Sequence, residues 1–412
     1  MHSDDLTVVP TALAYGGDAL ARMDDGQAVF VPFCLPGERV RIQLTEKKEH
    51  FARARLLEVI EASPERVTPR CKHFGVCGGC HYQHLSEAAQ MEAKAAILRN
   101  QLTRIGHIQD PPVTGARGAG APWSYRNHMQ FQLDPGGRLG FVASKDRQGP
   151  EEIIPIHECH LPNKAISELW PKLAFGPDSS IQRVAVRSGS DGEQMLVLEV
   201  DSPTAPELPI GPSISIAQVS ADGVLLRAGD DHITLRVSDR EFRVSPTSFF
   251  QVNESVAGAM VDHLLGCIPA SPDIVIDAYC GVGLFSAFLA PRCRKLVGIE
   301  SSLAACDDFA ANLDEFDNVE LYQDAAERVL PVLDIKPDVI VVDPPRSGLD
   351  RTTLDAVVSM SPSTLVYVSC DPATLARDAA RLIAAGYRLE NVTPFDMFPQ
   401  TYHIESISLF RR

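Results

Sequence analysis

The sequence predicts an α/β chain with a doubly wound parallel sheet in its C-terminal part, a small β-barrel at the N-terminus and a β-rich middle. Three observations carry this reading. From Asp273 onward, short Val/Ile-rich runs alternate with helical patterns, the signature of a doubly wound sheet. Residues 5 to about 62 hold five short alternating runs punctuated by Gly16-Gly17, Asp24-Asp25-Gly26 and Pro36-Gly37, as in a barrel of the OB type. Between them, seven strand-like runs and one helical stretch, Asn163–Leu173, fill the region from Trp123 to about Arg243. The expected divisions are residues 1–63, 64–244 and 245–412, in keeping with two to three domains for 412 residues.

The formal net charge of −16 argues against a nucleic-acid partner, but its distribution weakens the objection. Residues 1–130 carry 15 Lys/Arg against 14 Asp/Glu, and the remainder 23 against 40. Local patches rather than net charge steer a polyanion, so phosphate contacts are expected in the N-terminal third. The stretch Arg39–Lys72 carries nine Lys/Arg with His50 and Phe51 interleaved; a solvated barrel face is the equal alternative. The start Met1-His2-Ser3-Asp4-Asp5 lacks the regions of a signal peptide, and no apolar run approaches the roughly 20 residues that span a bilayer. The expectation is a cytoplasmic protein without a membrane partner, monomeric by default. Ten cysteines in such a chain are not a disulfide framework.

Pro64 and Pro69 mark a linker, followed by Cys71-Lys-His-Phe-Gly-Val-Cys77-Gly-Gly-Cys80. Three thiols this close, with Gly75, Gly78 and Gly79 between them, suit a tight loop around a metal centre. The candidates for a fourth ligand are His73, His81 and Cys159, and thiolate sets of this kind suit zinc or an iron–sulfur cluster. Ser86–Ile105 reads as a helix, capped by Ser86 and stopped by Gly106. In the middle, Tyr125, Arg126, Asn127 and His128 are either substrate contacts or the polar face of an edge strand.

In the C-terminal part, Ile274–Ile276 leads into Asp277-Ala-Tyr279-Cys280-Gly281-Val-Gly283, a G-x-G turn without the third glycine of a dinucleotide fingerprint. Glu300 ends the next strand, 23 positions after Asp277, where an acidic residue accepts hydrogen bonds from ribose hydroxyls. Asp324 follows the third strand, where it can read an adenine amine. Together these suggest an adenosine-bearing cofactor without pyrophosphate, such as S-adenosylmethionine. Asp343-Pro344-Pro345-Arg346 and Ser369-Cys370-Asp371-Pro372 each follow a continuous apolar run, and ligands in such sheets sit past the carboxyl ends of the strands. Asp343 and Cys370 are therefore expected at one edge.

With these motifs in place, the chain resembles the uracil-C5 RNA methyltransferases, the family that forms 5-methyluridine in transfer and ribosomal RNA. The likeness runs over Gly17-Asp18-Ala19 to Glu38, which resembles that family's TRAM barrel, and over Cys71, Cys77, Cys80 and Cys159, similar to its iron–sulfur motif. It continues through Phe250-Gln251-Val252-Asn253, Asp277 to Gly281, Glu300, Asp343 to Arg346, Ser369 to Pro372, and His403-Ile404-Glu405-Ser406. The resemblance implies a Rossmann-like methyltransferase domain and a four-iron four-sulfur cluster on the four cysteines. It implies S-adenosylmethionine held by Gln251, Tyr279, Glu300 and Asp343, and the 86–105 helix packing back on the catalytic domain. Leu284 departs from the pattern, since relatives often carry Asn there.

C5 of uracil is a poor nucleophile until a thiolate adds at C6. Cys370 is the candidate for this covalent step, its thiolate favoured by a strand-to-helix turn. Removal of the C5 proton needs a general base, and Glu405 is the candidate, with His403 either the alternative base or its orienter. A uridine inside folded RNA must be flipped out, which points to loop or single-stranded RNA. Ribosomal RNA is favoured because barrel and cluster occur together. The alternatives are transfer RNA, an exocyclic-amine N-methyltransferase using Asp-Pro-Pro, and a non-enzymatic RNA module.

Overall fold

The computed structural model describes residues 5–144, 152–177, 180–201 and 214–412; the acidic start Met1–Asp4 lies outside them. The barrel comprises β1 (Asp5–Val8), β2 (Ala12–Leu13), β3 (Ala19–Arg22), β4 (Ala28–Val31), β5 (Arg39–Lys47) and β6 (Phe51–Glu61), in the order β1-β5-β6-β4-β3-β2. Period-2 alternation turns Ala19, Ala21, Val29, Val31, Val40, Ile42, Ala52 and Ala54 into one core. The extra strand relative to the five expected runs is β2, only two residues long. Buried Glu38 ties the barrel to the linker, accepting from Leu35 N and Ser63 N and pairing with Arg66 at 2.5 Å.

Helix α1 (Glu87–Arg104) follows, with Ser86 Oγ accepting from Ala89 N as its cap. The middle sheet contains β7 (His128–Leu133), β8 (Leu139–Val142), β9 (Ile153–Pro155), β10 (Ile181–Ser188), β11 (Gln194–Val200), β12 (Ser215–Ser220) and β13 (Gly223–Ala228), with α2 (Lys164–Leu169) after β9. Among the described residues its order is β13-β12-β11-β10-β7-β8-β9. Phe131, Trp170, Val184, Leu196 and Leu198 form its core. Of Tyr125–His128 only His128 enters β7, which is internal, and the other three precede the strand, which corrects the edge-strand alternative. Those residues brace the neighbouring layer: Tyr125 OH donates to Pro399 O at 3.1 Å and Asn127 Nδ2 to Gln251 O at 3.1 Å.

The hairpin β14 (Ile233–Val237) and β15 (Arg240–Val244) leads to α3 (Glu254–Cys267). The doubly wound part then runs β16 (Ile274–Ala278), α4 (Leu284–Leu289), β17 (Lys295–Glu300), α5 (Leu303–Asn312), β18 (Val319–Gln323), α6 (Ala326–Val329), β19 (Val339–Val342), α7 (Arg351–Met360), β20 (Thr364–Ser369), α8 (Pro372–Ala384), β21 (Arg388–Phe395) and β22 (Glu405–Arg411). Its sheet order is β18-β17-β16-β19-β20-β22-β21, parallel from β18 to β20 and closed by the antiparallel β22 and β21. The central β19 and β20 are buried on both faces, which is why they read as continuous apolar runs.

Two features differ from the expected division of the chain. The boundary at 244/245 cuts through packing: Ile233, Leu235, Val237, Phe242 and Val244 of the hairpin share a core with Val256 and Met260 of α3 and Val275 of β16. The hairpin's apolar face has no sheet of its own to cover it. The Gly/Pro-rich segment after α1 runs along β21, with Val113 bridging Val392 and Arg117 bridging Phe395, and so covers that sheet edge. Helix α1 itself packs on α8 and β21, where Leu98 and Leu102 join the core with Leu375 and Ala379.

Candidate active site

Register brings the two candidate catalytic residues face to face. Ser369, the last residue of β20, pairs with Ser406 of β22, so Cys370 and Glu405 leave paired strands at the same level. Asp343 follows β19, the other neighbour of β20. Its amide donates to Ala278 O at 3.2 Å. Cys370 is half-buried and Glu405 is buried.

The electrostatics correct one expectation. Burial, then Glu405 and Asp343, push the Cys370 thiol up to about 12, with only Arg346 acting against them among the neighbours that shift it. The turn does not favour the thiolate because Asp371 occupies the helix terminus. Its Oδ1 accepts from Ala373 N at 2.9 Å and Thr374 N at 3.0 Å, so an anion already caps the dipole. Burial and Asp343 likewise raise Glu405 well above the usual carboxylate range, while Arg346 and Lys94 lower it. Burial and Asp277 push Asp343 up to about 7. His403 is pushed down to about 3 by burial and by Arg346, His81, Lys94 and Arg126, so its imidazole is neutral.

The cofactor candidates line the adjoining strand ends. Glu300 Oε2 accepts from Gly281 N at 3.0 Å, and Oε1 from Ser301 N and Ser302 N at 2.7 Å each, which fastens the G-x-G turn to β17. Gly283 has φ +92°, and a Cβ there would lie 2.5 Å from Leu313 Cδ1; only glycine fits. Tyr279 takes φ +65°, a strained conformation for a bulky residue. Asp277 is buried, with Oδ2 accepting from Ser286 Oγ at 2.6 Å and Oδ1 an unpaired buried atom. Gln251 is buried between β15 and α3, and Leu284 is buried at the first turn of α4. Asp324 stands at the end of β18, where Arg328 and Ala325 N bind its Oδ1, leaving Oδ2 for another donor.

A cleft of ≈ 800 Å³ opens between the barrel, the cysteine loop and the middle sheet, walled by Tyr15, Phe30 and Arg53 of the barrel, Gly78 and His81 of the cysteine loop, Gln130 and Gln132 of β7, and reaching Arg346, Tyr402 and His403 of the C-terminal part. Aromatic rings run in sequence through it. Tyr402 meets Tyr15 at 5.7 Å, His81 at 4.5 Å and His403 at 4.4 Å between centroids. A smaller cavity of ≈ 390 Å³, lined by Arg117, Asp262, His263 and Cys267, lies against α3.

The segments that carry the four candidate metal-ligating cysteines lie side by side. Lys72 N donates to Glu158 Oε1 at 2.9 Å and His157 N to His73 Nε2 at 3.3 Å, which lays the 157–160 segment beside the 71–80 loop. Gly79 N donates to Cys77 Sγ at 3.4 Å. Gly78 instead gives its N–H to Val142 O at 2.9 Å. Burial raises all four thiols, Cys80 to about 12 and Cys159 to about 11; neighbouring thiols add to it at Cys77, Cys80 and Cys159, and Glu158 at Cys71. His81 turns to Tyr402 instead. Even so, among the described residues no three His, Cys, Asp or Glu side chains are grouped to hold a metal ion. A single ion needs donors ~2.3 Å from one point, a geometry the described residues do not show.

Lys94, Asp396 and Tyr15 also reach this region and escaped the sequence reading. A lysine inside an Ala-rich helix and a tyrosine beside a Gly-Gly turn look like surface residues.

Comparison with known proteins places these features in a lineage. A family model described as tRNA (Uracil-5-)-methyltransferase matches residues 216–412, and a TRAM domain model matches residues 6–57. The chain is 34% identical over 418 residues to a protein of Streptomyces coelicolor named as an uncharacterized RNA methyltransferase, covering 96% of this chain and 90% of that one. It is 35% identical over 449 residues to a protein of the same description from Halalkalibacterium halodurans, covering 99% and 97%. Its fold is similar to that of the Pyrococcus abyssi tRNA (uracil-54, C5)-methyltransferase crystallised with S-adenosyl-L-homocysteine, with a TM-score of 0.75 at 23% identity over 98% of this chain and 100% of that one.

Proposed function

The chain belongs to the RNA methyltransferases of the tRNA (uracil-5-)-methyltransferase family with a TRAM domain, and from that premise we propose that it methylates C5 of a flipped-out uridine in RNA through a covalent adduct. The single observation behind this reading is the register of β20 and β22, whose last pair, Ser369 with Ser406, sets the adjoining Cys370 and Glu405 at one level, beside the end of β19 that carries Asp343.

S-adenosylmethionine, when bound, supplies an electrophilic methyl group. Gln251, Tyr279, Glu300, Asp343 and Asp324 would hold it. The orphaned Oδ1 of Asp277 and the turn fastened to Glu300 place carboxylate acceptors at these strand ends, which suits a ligand rich in hydroxyl and amino donors. Cys370 adds its sulfur to C6 of the uracil, which makes C5 nucleophilic. After methylation, Glu405 takes the C5 proton, the C5–C6 double bond re-forms, and the Cys370 sulfur leaves. Neutral His403 stacks among Phe398 and Tyr402 and orients the site rather than serving as base. Cys71, Cys77, Cys80 and Cys159 would hold a four-iron four-sulfur cluster that fixes the cleft wall, since the reaction transfers no electrons.

Ribosomal RNA is the favoured substrate, on the joint presence of barrel and cysteine loop. The test is nucleoside mass spectrometry of ribosomal and transfer RNA from a strain lacking the gene, treated with the purified protein. 5-Methyluridine in ribosomal RNA is expected. Its appearance in transfer RNA alone moves the substrate, and an N-methylated nucleoside replaces the reaction.

A further inference from the structure

Helix α1 carries a lysine on the face that it buries. Lys94 has no exposed surface; its Nζ donates to Asp396 Oδ1 at 2.5 Å and to Phe398 O at 3.1 Å. An ammonium is expensive to desolvate, and its ion pair with Asp396 is weak grounds for retaining it as a stabilising element. Its position suggests another use. Asp396 directly follows Phe395, which is the register partner of Glu405, so the lysine lies against the strand end that carries the proposed base.

We infer that Lys94 is a positioning residue for the second half of the reaction, its ammonium favouring the carboxylate form of Glu405 that takes the C5 proton. This rests on the roles proposed above for Cys370 and Glu405. In that step the carboxylate gains the proton, the C5–H electron pair becomes the C5–C6 double bond, the C6–S bond breaks, and Cys370 departs as thiolate.

Glu405 is faced by Asp343 from the end of β19, Cys370 from the β20–α8 turn, Asp396 from the end of β21, Arg346, His403 and Lys94. Burial and Asp343 oppose its ionisation; Arg346 and Lys94 favour it. The two cations are not equivalent. Arg346 is exposed and lines the cleft, where water and RNA phosphate dilute its charge. Lys94 is dry: burial disfavours its ammonium, Asp396 and Glu405 favour it, and the charge so held acts further in a low-dielectric interior. Barrel and strand supply the nucleophile's surroundings; α1, added from outside the sheet, supplies the base's counter-charge.

Removing the cation raises the folded-state pKa of Glu405, so its basic form appears only at higher pH. Proton removal then slows at neutral pH, while sulfur addition and methylation do not. Lys94→Met is assayed beside Lys94→Arg and the double variant Lys94→Met/Asp396→Asn, which leaves no unpaired buried carboxylate. The probe is total RNA from a strain lacking the gene, with S-adenosylmethionine. The covalent protein–RNA adduct is followed on denaturing gels, and free 5-methyluridine RNA by mass spectrometry, across a pH series. Both Met variants are expected to form adduct at the parental rate and to release product about tenfold more slowly near neutral pH, the effect of roughly one pKa unit. Their acidic limb should shift to higher pH, with recovery in alkali, and Lys94→Arg should restore the parental profile. An unshifted limb, or an equal loss of adduct formation and release at every pH, overturns the proposal and leaves Lys94 a packing residue. Failure of the parental protein to form any adduct instead overturns the roles of Cys370 and Glu405.

Discussion

The hydroxyl of Tyr15 donates to Asp371 Oδ2 at 3.1 Å, joining the rim of the barrel to the residue after Cys370. Asp371 uses its other oxygen to cap α8, so one carboxylate receives both the barrel and the helix. Tyr15 also packs edge-on against Tyr402. The barrel is thereby coupled to the turn that aims the sulfur.

Tyr15→Phe keeps the ring contact and removes the bond. A hydrogen bond to a charged acceptor contributes about 1.5–3 kcal/mol, so trapping of Cys370 by 5-fluorouridine RNA should slow about tenfold, with RNA affinity little changed. Stopped-time gel assays and filter binding separate the two. A loss of affinity with an unchanged trapping rate assigns Tyr15 to RNA contact instead.

Cys370→Ala should abolish methylation while binding of S-adenosylmethionine persists, measured by calorimetry. Cys370→Ser should trap no adduct with 5-fluorouridine RNA where the parent does. Continued turnover by the alanine variant discards the covalent route.

The charge around Cys370 makes its reactivity depend on Asp343. Burial, Glu405 and Asp343 raise the thiol to about 12, and Asp343 itself ionises at about 7. Above pH ~7 the Asp343 charge therefore suppresses the thiolate, and below it the residue is neutral. Asp343→Asn should speed iodoacetamide labelling of the Cys370 peptide several-fold near pH 9 and leave it unchanged near pH 6, read by peptide mass spectrometry. Equal labelling at both values means that the two groups do not communicate.

The parts of this arrangement that were legible in the sequence are those made by local pattern. Val339–Val342 and Thr364–Ser369 lie buried on both faces, so continuous apolar runs announced them, and Ser86 announced its helix by capping chemistry. What stayed hidden depends on distant partners. The β14–β15 hairpin alternates like any strand pair, and nothing local says that its apolar side joins α3. The segment around Val113 and Arg117 has loop composition because it pairs as an edge strap, with few ladder bonds of its own. The thiolate expectation at Cys370 meets opposition that no local pattern reveals: burial first, then Glu405 and Asp343 from neighbouring strands, with Asp371 also occupying the amides of the helix end.

For the cysteine loop, anaerobically purified protein should contain iron and sulfide, about four of each per chain, with broad absorption in the blue. Cys159→Ser should lose both, since this cysteine lies with Cys71, Cys77 and Cys80. Stoichiometric zinc without iron overturns the cluster assignment.

The last expectation concerns the joint between barrel and linker. Glu38 is fully buried, bound by Arg66 Nε and Nη2 and by the amides of Leu35 and Ser63. Burial alone would raise its pKa, but the Arg66 hydrogen bond and the two amides outweigh it and hold the carboxyl below its ordinary value. The unfolded chain, with a glutamate near ~4.3, binds the proton more readily than the folded one. The stabilisation is therefore complete above the unfolded value and is lost as pH falls through the lower folded value. Glu38→Gln should destabilise the protein near pH 7 by about 3 kcal/mol, the low end for breaking a buried pair, since Arg66 keeps some contact with water. Thermal denaturation across pH should show the two proteins converging as the medium becomes acidic enough to protonate Glu38. A deficit that stays constant down to that acidity would mean that shape, and not charge, holds the barrel to the linker.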